Sequence, residues 1–427
     1  MRILMLAQFF PPDIGGEERH VQNLAAQLVQ RGHDVAVATH AVPGLPEREL
    51  LATGVRVRRI PTTAMRLPGV YSSARQHHPP MPDPSAVRAL GEVLDEERPD
   101  VVHAHNWIVH SVLPVLRRRG HRYPLVLTLH DYSQVCSTKR LMRDGVVCAG
   151  PSARCLPCAT KHYGPLVGPA TVAATAVMRP WKARAADHVV SVSRSVAQRN
   201  GVEAWPNSTV VPNFIPDKLL TRESDPAAPR LPREAADLIG RDYLLFVGDL
   251  SPDKGLAPLL TAYESLGDDR PALLMVGRPG PGTPTDLPDG ARICESWDHE
   301  DVLDAFAGCR VAVLPSVWPD PCPTTVLEAM ASGRPVVTTA IGGMLDMVLP
   351  EETGLLVPPD DADALSAAIR RVLDDPDLAL ALGAGGRERV TKFTASAVAQ
   401  RLEDIYRSVV AGRGADDAEL MEGHIAR

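Results

Sequence analysis

The chain has 427 residues, 44% of them apolar, 23% charged and 4% aromatic, with a formal net charge of -7. That length suits two or three domains at roughly one per 150 residues, and no run approaches the roughly 18 apolar residues of a membrane span. So few aromatic side chains make a base-stacking platform hard to build, which argues against a nucleic-acid partner.

Met1-Arg-Ile-Leu-Met-Leu-Ala7 opens like a signal peptide, but Gln8-Phe-Phe-Pro-Pro-Asp13 cuts the apolar run short and no small-residue cleavage site follows. The reading is a first β-strand, Ile3 to Ala7, in a cytoplasmic protein. Gly15-Gly16 sits in the loop after it, and Val21, Leu24, Ala25, Leu28 and Val29 mark one face of a helix. Gly32 stops that helix and Asp34 to Thr39 begins a second strand. Val55 to Ile60, Val101 to His105, Leu125 to Leu129 and Val189 to Val192 continue as short strands. Helices over Ala86 to Arg98 and Val109 to Arg119 fall between some of them, and Pro61 to Pro84 reads as a long loop. Strand alternating with helix predicts a mostly parallel sheet. A linker follows at 206–240, rich in Pro around Asp225 to Pro232. The alternation then restarts with strands at Tyr243 to Val247, Ala272 to Val276, Ala291 to Ile293, Val311 to Leu314 and Val336 to Thr339. Helices near 362–373 and 395–411 close the chain, and 412–427 reads as a flexible tail. The fold class is α/β, with two Rossmann-like domains and a cleft between them.

The net charge hides a division. Residues 1–205 hold 25 Lys+Arg against 16 Asp+Glu, a balance of +9, and the remainder holds 20 against 36, a balance of -16. A basic amino-terminal half can face a phosphate-bearing acceptor or an anionic membrane surface, or the charge can drift without function. Arg117-Arg-Arg-x-x-Arg122 and Arg179, Lys182 and Arg184 are its local clusters. The apolar stretch Leu166 to Met178 between them is too short to span a bilayer and is either a core or an interfacial helix.

The segment most rich in chemistry is Leu314-Pro-Ser-Val-Trp-Pro-Asp320-Pro-Cys-Pro-Thr324-Thr325-Val326-Leu-Glu328. Two carboxylates stand eight positions apart, across a strand end, a Pro-rich loop and a helix start. Parallel sheets bind ligands at such strand ends, and free N–H groups at a helix start suit a diphosphate. Pro323 withdraws one N–H from that start. Phe246-Val-Gly248-Asp249-Leu-Ser-Pro-Asp-Lys254-Gly255 places an ammonium, a natural phosphate partner, after the first strand of the second half. His130 follows the strand ending at Leu129, whereas His103 and His105 have no motif behind them and read as structural.

These motifs, with Pro11 to Ala25 and Ile341-Gly342-Gly343, resemble the retaining GT-B glycosyltransferases of family 4 type (glycosyl transferases group 1). The resemblance implies an acceptor-side domain over 1–205 and a nucleotide-sugar-binding domain over 241–394. It implies donor contacts from Gly15, Gly16, Lys254, Thr324, Thr325, Val326 and Glu328, with His130, Asp320 and Lys254 as the catalytic set. Glu328 matches the ribose-binding position, and Asp320 stands where the family has Glu. Asp249 departs from the usual Arg, and Pro323 from the usual Gly. The donor would be a UDP-, GDP- or ADP-sugar, the acceptor anionic or lipid-linked, and catalysis would need no metal cofactor, at most with peripheral contact at the inner membrane face. Alternatives are a non-catalytic relic acting as a scaffold, and a nucleotide-sugar epimerase. The resemblance does not cover the cysteine-rich insertion at 131–185. There Cys136, Cys148, Cys155 and Cys158 could hold a structural zinc, pair as disulfides or remain reduced thiols.

Overall fold

The computed structural model describes residues 1–12, 15–63, 78–222, 230–295 and 297–425, with side chains of the last helix described as far as Arg413. The chain divides into two compact units. The first comprises 1–141, 149–212 and 398–427, and the second 142–148 and 213–397.

The first unit alternates strand and helix: β1 (Arg2–Leu6), α1 (Gly16–Gln30), β2 (Asp34–His40), β3 (Arg48–Leu50), β4 (Arg56–Ile60), α2 (Pro84–Glu97), β5 (Val101–His105), α3 (Val109–Arg118) and β6 (Leu125–Leu129). A two-stranded hairpin of β7 (Met142–Arg143) and β8 (Val146–Val147) interrupts it. Then come α4 (Cys155–Ala185), β9 (His188–Ser191), α5 (Arg194–Asn200) and β10 (Ser208–Val210). The sheet order is β10-β9-β6-β5-β1-β2-β4-β3, parallel throughout except at the β3–β4 edge. Its inner strands β1, β2, β5, β6 and β9 are almost wholly buried, as expected for a parallel sheet covered on both faces. On α1 the predicted stripe of Val21, Leu24, Ala25 and Leu28 is fully buried.

The second unit runs β11 (Tyr243–Val247), α6 (Leu256–Glu264), β12 (Ala272–Val276), β13 (Ala291–Cys294), α7 (His299–Gly308), β14 (Val311–Leu314), α8 (Thr324–Ala331), β15 (Val336–Thr339), α9 (Met344–Met347), β16 (Leu355–Val357), α10 (Ala362–Asp374) and α11 (Pro376–Arg389). All its strands pair in parallel in the order β13-β12-β11-β14-β15-β16. Both units are therefore Rossmann-like, and the fold class is that of GT-B enzymes. In each sheet the strand order reverses beside the first strand, between β1 and β5 and between β11 and β14. Ligands of open α/β sheets bind outside the carboxyl ends of the strands at such points.

Two expected boundaries move. The first unit extends to Pro212 rather than 205, because β10 pairs with β9 as an edge strand. The closing helix α12 (Ala395–Ile425) runs past the expected end at 411 into the stretch read as a tail. The short strands β3, β10 and β16 went unpredicted, each only three residues long. Residues 64–77 of the predicted loop and 223–229 of the predicted linker lie outside the described residues.

Candidate active site

In the second unit the chemistry gathers where the strand order reverses. Lys254 ends a short 3-10 turn after β11, and its Nζ donates to the Asp320 carboxylate in the loop after β14. The same ammonium stands 5.6 Å from the Trp318 ring centroid, a cation–π contact. The two loops are stitched by backbone: the N–H groups of Val317 and Trp318 donate to the Asp253 carbonyl at 3.0 and 3.2 Å. Gly255 makes this approach possible. It lies at φ +80°, and a Cβ there would sit 1.8 Å from the Pro315 carbonyl oxygen. On the far side of the loop, Gly343 N–H donates to the Asp320 carbonyl at 2.7 Å, and a Cβ on Gly342 would meet that oxygen at 2.3 Å. Asp320 is thus held from both sides, and its residue is 6% exposed.

Helix α8 starts at Thr324 behind Pro323, with no side-chain cap. The N–H groups of its first turn have no partner within the helix by geometry, which suits an anion. Val326 N–H already reaches the Pro323 carbonyl at 3.3 Å, so Thr324 and Thr325 are the freer donors of the three predicted. One turn further, buried Glu328 accepts a hydrogen bond from His299 Nε2 at 2.9 Å. His299, the first residue of α7, carried no sequence signal. Asp249 does not pair with Lys254. It accepts from Arg278 Nε at 3.1 Å and Nη2 at 3.0 Å, just past the end of the neighbouring strand β12. The carboxylate that departs from the resemblance at 249 is therefore neutralised by a guanidinium from beyond the next strand.

In the first unit Gly15 precedes α1 in extended conformation, and no atom lies within 4 Å of where a Gly16 Cβ would stand. Glu17, in the first turn of α1, accepts a hydrogen bond from Asn106 Nδ2, and burial pushes its carboxyl up to about 8. His130 follows β6 directly, and its Nε2 lies 2.8 Å from Nδ1 of His105, the last residue of β5. His105, read as structural, is thus the hydrogen-bond partner of the predicted His130. His103 does serve the core: its ring nitrogens bind the Tyr406 hydroxyl and Thr128 Oγ1, both at 2.6 Å. Burial holds His105 and His130 well below the ordinary imidazole value, so both are neutral near pH 7.

The four clustered cysteines are half-buried and pair in no disulfide. Cys155 and Cys158 lie in the first turn of α4, Cys136 in the turn after β6, and Cys148 at the end of the hairpin that belongs with the second unit. Among the described residues, no three of their sulfurs come within mutual ligand distance. Cys155 Sγ instead accepts from the Ser152 N–H at 3.4 Å.

Comparison with known proteins matches residues 14–219 to Glycosyltransferase Family 4 and residues 237–389 to Glycosyl transferases group 1. The chain belongs to this glycosyltransferase family and is an enzyme that acts on nucleotide sugars. It is 30% identical to the glycogen synthase of Mycobacterium tuberculosis, covering 96% of both chains. It is 27% identical to the D-inositol 3-phosphate glycosyltransferase of Kineococcus radiotolerans, covering 96% of this chain and 94% of that one. Its fold matches Anabaena HepE in complex with UDP and glucose at a TM-score of 0.68, with 18% identity over 96% of this chain and 100% of the other.

Proposed function

We propose that the chain is a retaining hexosyltransferase that passes a sugar from a nucleoside-diphosphate sugar to an acceptor hydroxyl without a catalytic metal. The observation that carries this reading is the Lys254–Asp320 pair where the strand order reverses, beside the open start of α8. The diphosphate would draw Lys254 away from Asp320 and settle on the Thr324 and Thr325 N–H groups. Stabilising that leaving group is the main electrostatic task of such a transfer. Glu328, oriented by His299, would take the ribose hydroxyls. Arg278 neutralises Asp249, which removes the repulsion of a diphosphate that spoke for a non-catalytic relic. Neutral His130 would donate or accept a hydrogen bond at the transferred sugar without bringing a charge.

The acceptor is read as anionic or lipid-linked, in keeping with the positive first half and with a relative named for inositol 3-phosphate. Among the described residues no helix is long and apolar enough to cross a membrane. Peripheral contact at the inner membrane face has a specific candidate in α4, where Leu166, Val177 and Trp181 are exposed.

The test is a transfer assay read by NMR. The product should keep the anomeric configuration of the donor, and the rate should survive a short excess of EDTA. An inverted product would sink the retaining mechanism, and isomerised donor without transfer would favour an epimerase. Loss of activity in EDTA that magnesium or manganese restores would overturn metal independence.

A further inference from the structure

Three imidazoles converge in the first unit: His20 from α1, His105 from the end of β5 and His130 just past β6. Their potential ligand nitrogens all lie within 4.8 Å of one another. His130 stands 4.8 Å from His20 and 5.1 Å from His105 between ring centroids, and all three residues are at least nine-tenths buried. The register explains the meeting. β5 and β6 are adjacent and parallel with His105 opposite Thr128, so His130 emerges two residues further along the same edge. A fourth ring, His103, packs 4.2 Å from His105, but both its nitrogens are engaged by Tyr406 and Thr128.

We propose that His20, His105 and His130 form a binding site for a divalent transition-metal ion of the zinc, cobalt, nickel or copper class. Neutral imidazole is a good ligand for these ions. Three histidines with a fourth position left to water is an established coordination pattern. Burial keeps protons off His105 and His130 near neutral pH, so no proton competes for their lone pairs. Two nitrogens bound tetrahedrally at about 2.0–2.1 Å stand roughly 3.3 Å apart. The His105–His130 contact of 2.8 Å must therefore open slightly as the metal replaces the hydrogen bond. The ring that donates in that bond moves its N–H to its other nitrogen. His105 Nε2 has room in its bonding for this, since it makes no hydrogen bond in the protein. A neutral imidazole keeps one N–H and gives one lone pair, so as a ligand it releases no proton. A thiolate site would release protons, because a free thiol has a pKa of about 8.5.

One consequence rests on the proposed role of His130 at the transferred sugar. A metal on His130 Nε2 removes that group from the donor, so the ion inhibits transfer instead of assisting it.

The experiment titrates the full chain, stripped of metal by chelator, with Co2+. It reads visible d–d absorption, near-ultraviolet thiolate charge transfer, proton release in weak buffer, and transfer rate. The expected result is d–d absorption without a thiolate band or net proton release, with inhibition that EDTA reverses. His20→Gln and His105→Gln should each weaken Co2+ binding by at least about tenfold, whereas Cys155→Ser with Cys158→Ser should leave it intact. Absence of d–d absorption in the wild-type chain would overturn the site. So would a thiolate band with proton release that disappears in the cysteine double variant. These wild-type readings decide the matter even where a histidine variant fails to fold. Imidazole-type binding that leaves transfer untouched would keep the site and overturn the placement of His130 on the donor sugar.

Discussion

On the proposed reading two side chains, Lys254 and Glu328, carry most of the donor chemistry, and their partners say what each removal costs. Lys254 is the ammonium nearest the diphosphate position, so Lys254→Ala should lower kcat/KM by roughly two orders of magnitude. Glu328→Ala should raise the donor KM, since it removes the ribose contact and also strands His299. Steady-state kinetics with a melting curve checks both: wild-type turnover in both variants would mean the site lies elsewhere. Asp320 and Glu328 were legible in the sequence because they sit in one local strand–loop–helix pattern, and Lys254 because it sits in a second one, after β11. His299 and Arg278 were not. Each lies 29 residues from its carboxylate partner, and only the parallel strand order brings the pairs together. The same holds for His105, whose partner across β6 is invisible to any local period.

At the scale of elements, the joint between the loops after β11 and β14 depends on a missing side chain. Gly255→Ala would force a Cβ into the Pro315 carbonyl at a positive φ. It should destabilise the second unit by at least about 1–3 kcal/mol and disturb Lys254 next to it. A melting temperature unchanged from wild type would refute the close approach. In the first unit, α12 is tied down by Glu403. Its carboxylate meets Arg31, His33 Nε2 at 3.0 Å and Arg407 Nη2 at 3.0 Å. The Arg31 hydrogen bond, with the neighbouring His33, holds the Glu403 carboxyl down at about 2. A carboxyl depressed in the folded state stabilises fully above its unfolded value, about 4.5 here, and that contribution fades as pH falls toward 2. Denaturant midpoints measured from pH 6 to pH 3 should fall less steeply in Glu403→Gln than in wild type; parallel curves would mean the ion pair is not formed. The strands and the apolar stripe of α1 were readable from periodicity. The full reach of α12 was not, because Gly412 and Gly414 look like a stop while the backbone runs on to Ile425.

Over the whole molecule, the charge division needs correction for local pairing. Arg48, Arg56, Arg58 and Arg59 on β3 and β4 face Glu49, Glu96, Glu97 and Asp34. Their charge is spent within the fold, and the positive excess of the first half must act from other surfaces. Helix α4 is one such surface. It buries Thr171, Ala174, Thr175, Met178 and Lys182, while Leu166, Val177 and Trp181 face out beside Arg184. Of the core and interfacial readings of this helix, the buried face fits the first, and the exposed apolar face is what a membrane test would probe. Binding to vesicles containing anionic lipid should exceed binding to neutral ones and weaken as salt rises. Leu166→Asp with Trp181→Asp should abolish it. Equal binding to both vesicle types would leave the charge split without a role.

The main segment of the second unit closes on itself. Its own two ends lie side by side, where Ile215 N–H donates to the Phe393 carbonyl and Ala395 N–H to the Ile215 carbonyl, both at 2.9 Å. Apart from the hairpin at 142–148, it is one uninterrupted piece of chain with adjoining ends. That makes it a cassette spliced into its host, and evolution or an engineer can exchange it whole. Swapping residues 215–395 for the matching segment of a relative would change which donor is offered while the acceptor half keeps its own helix α12.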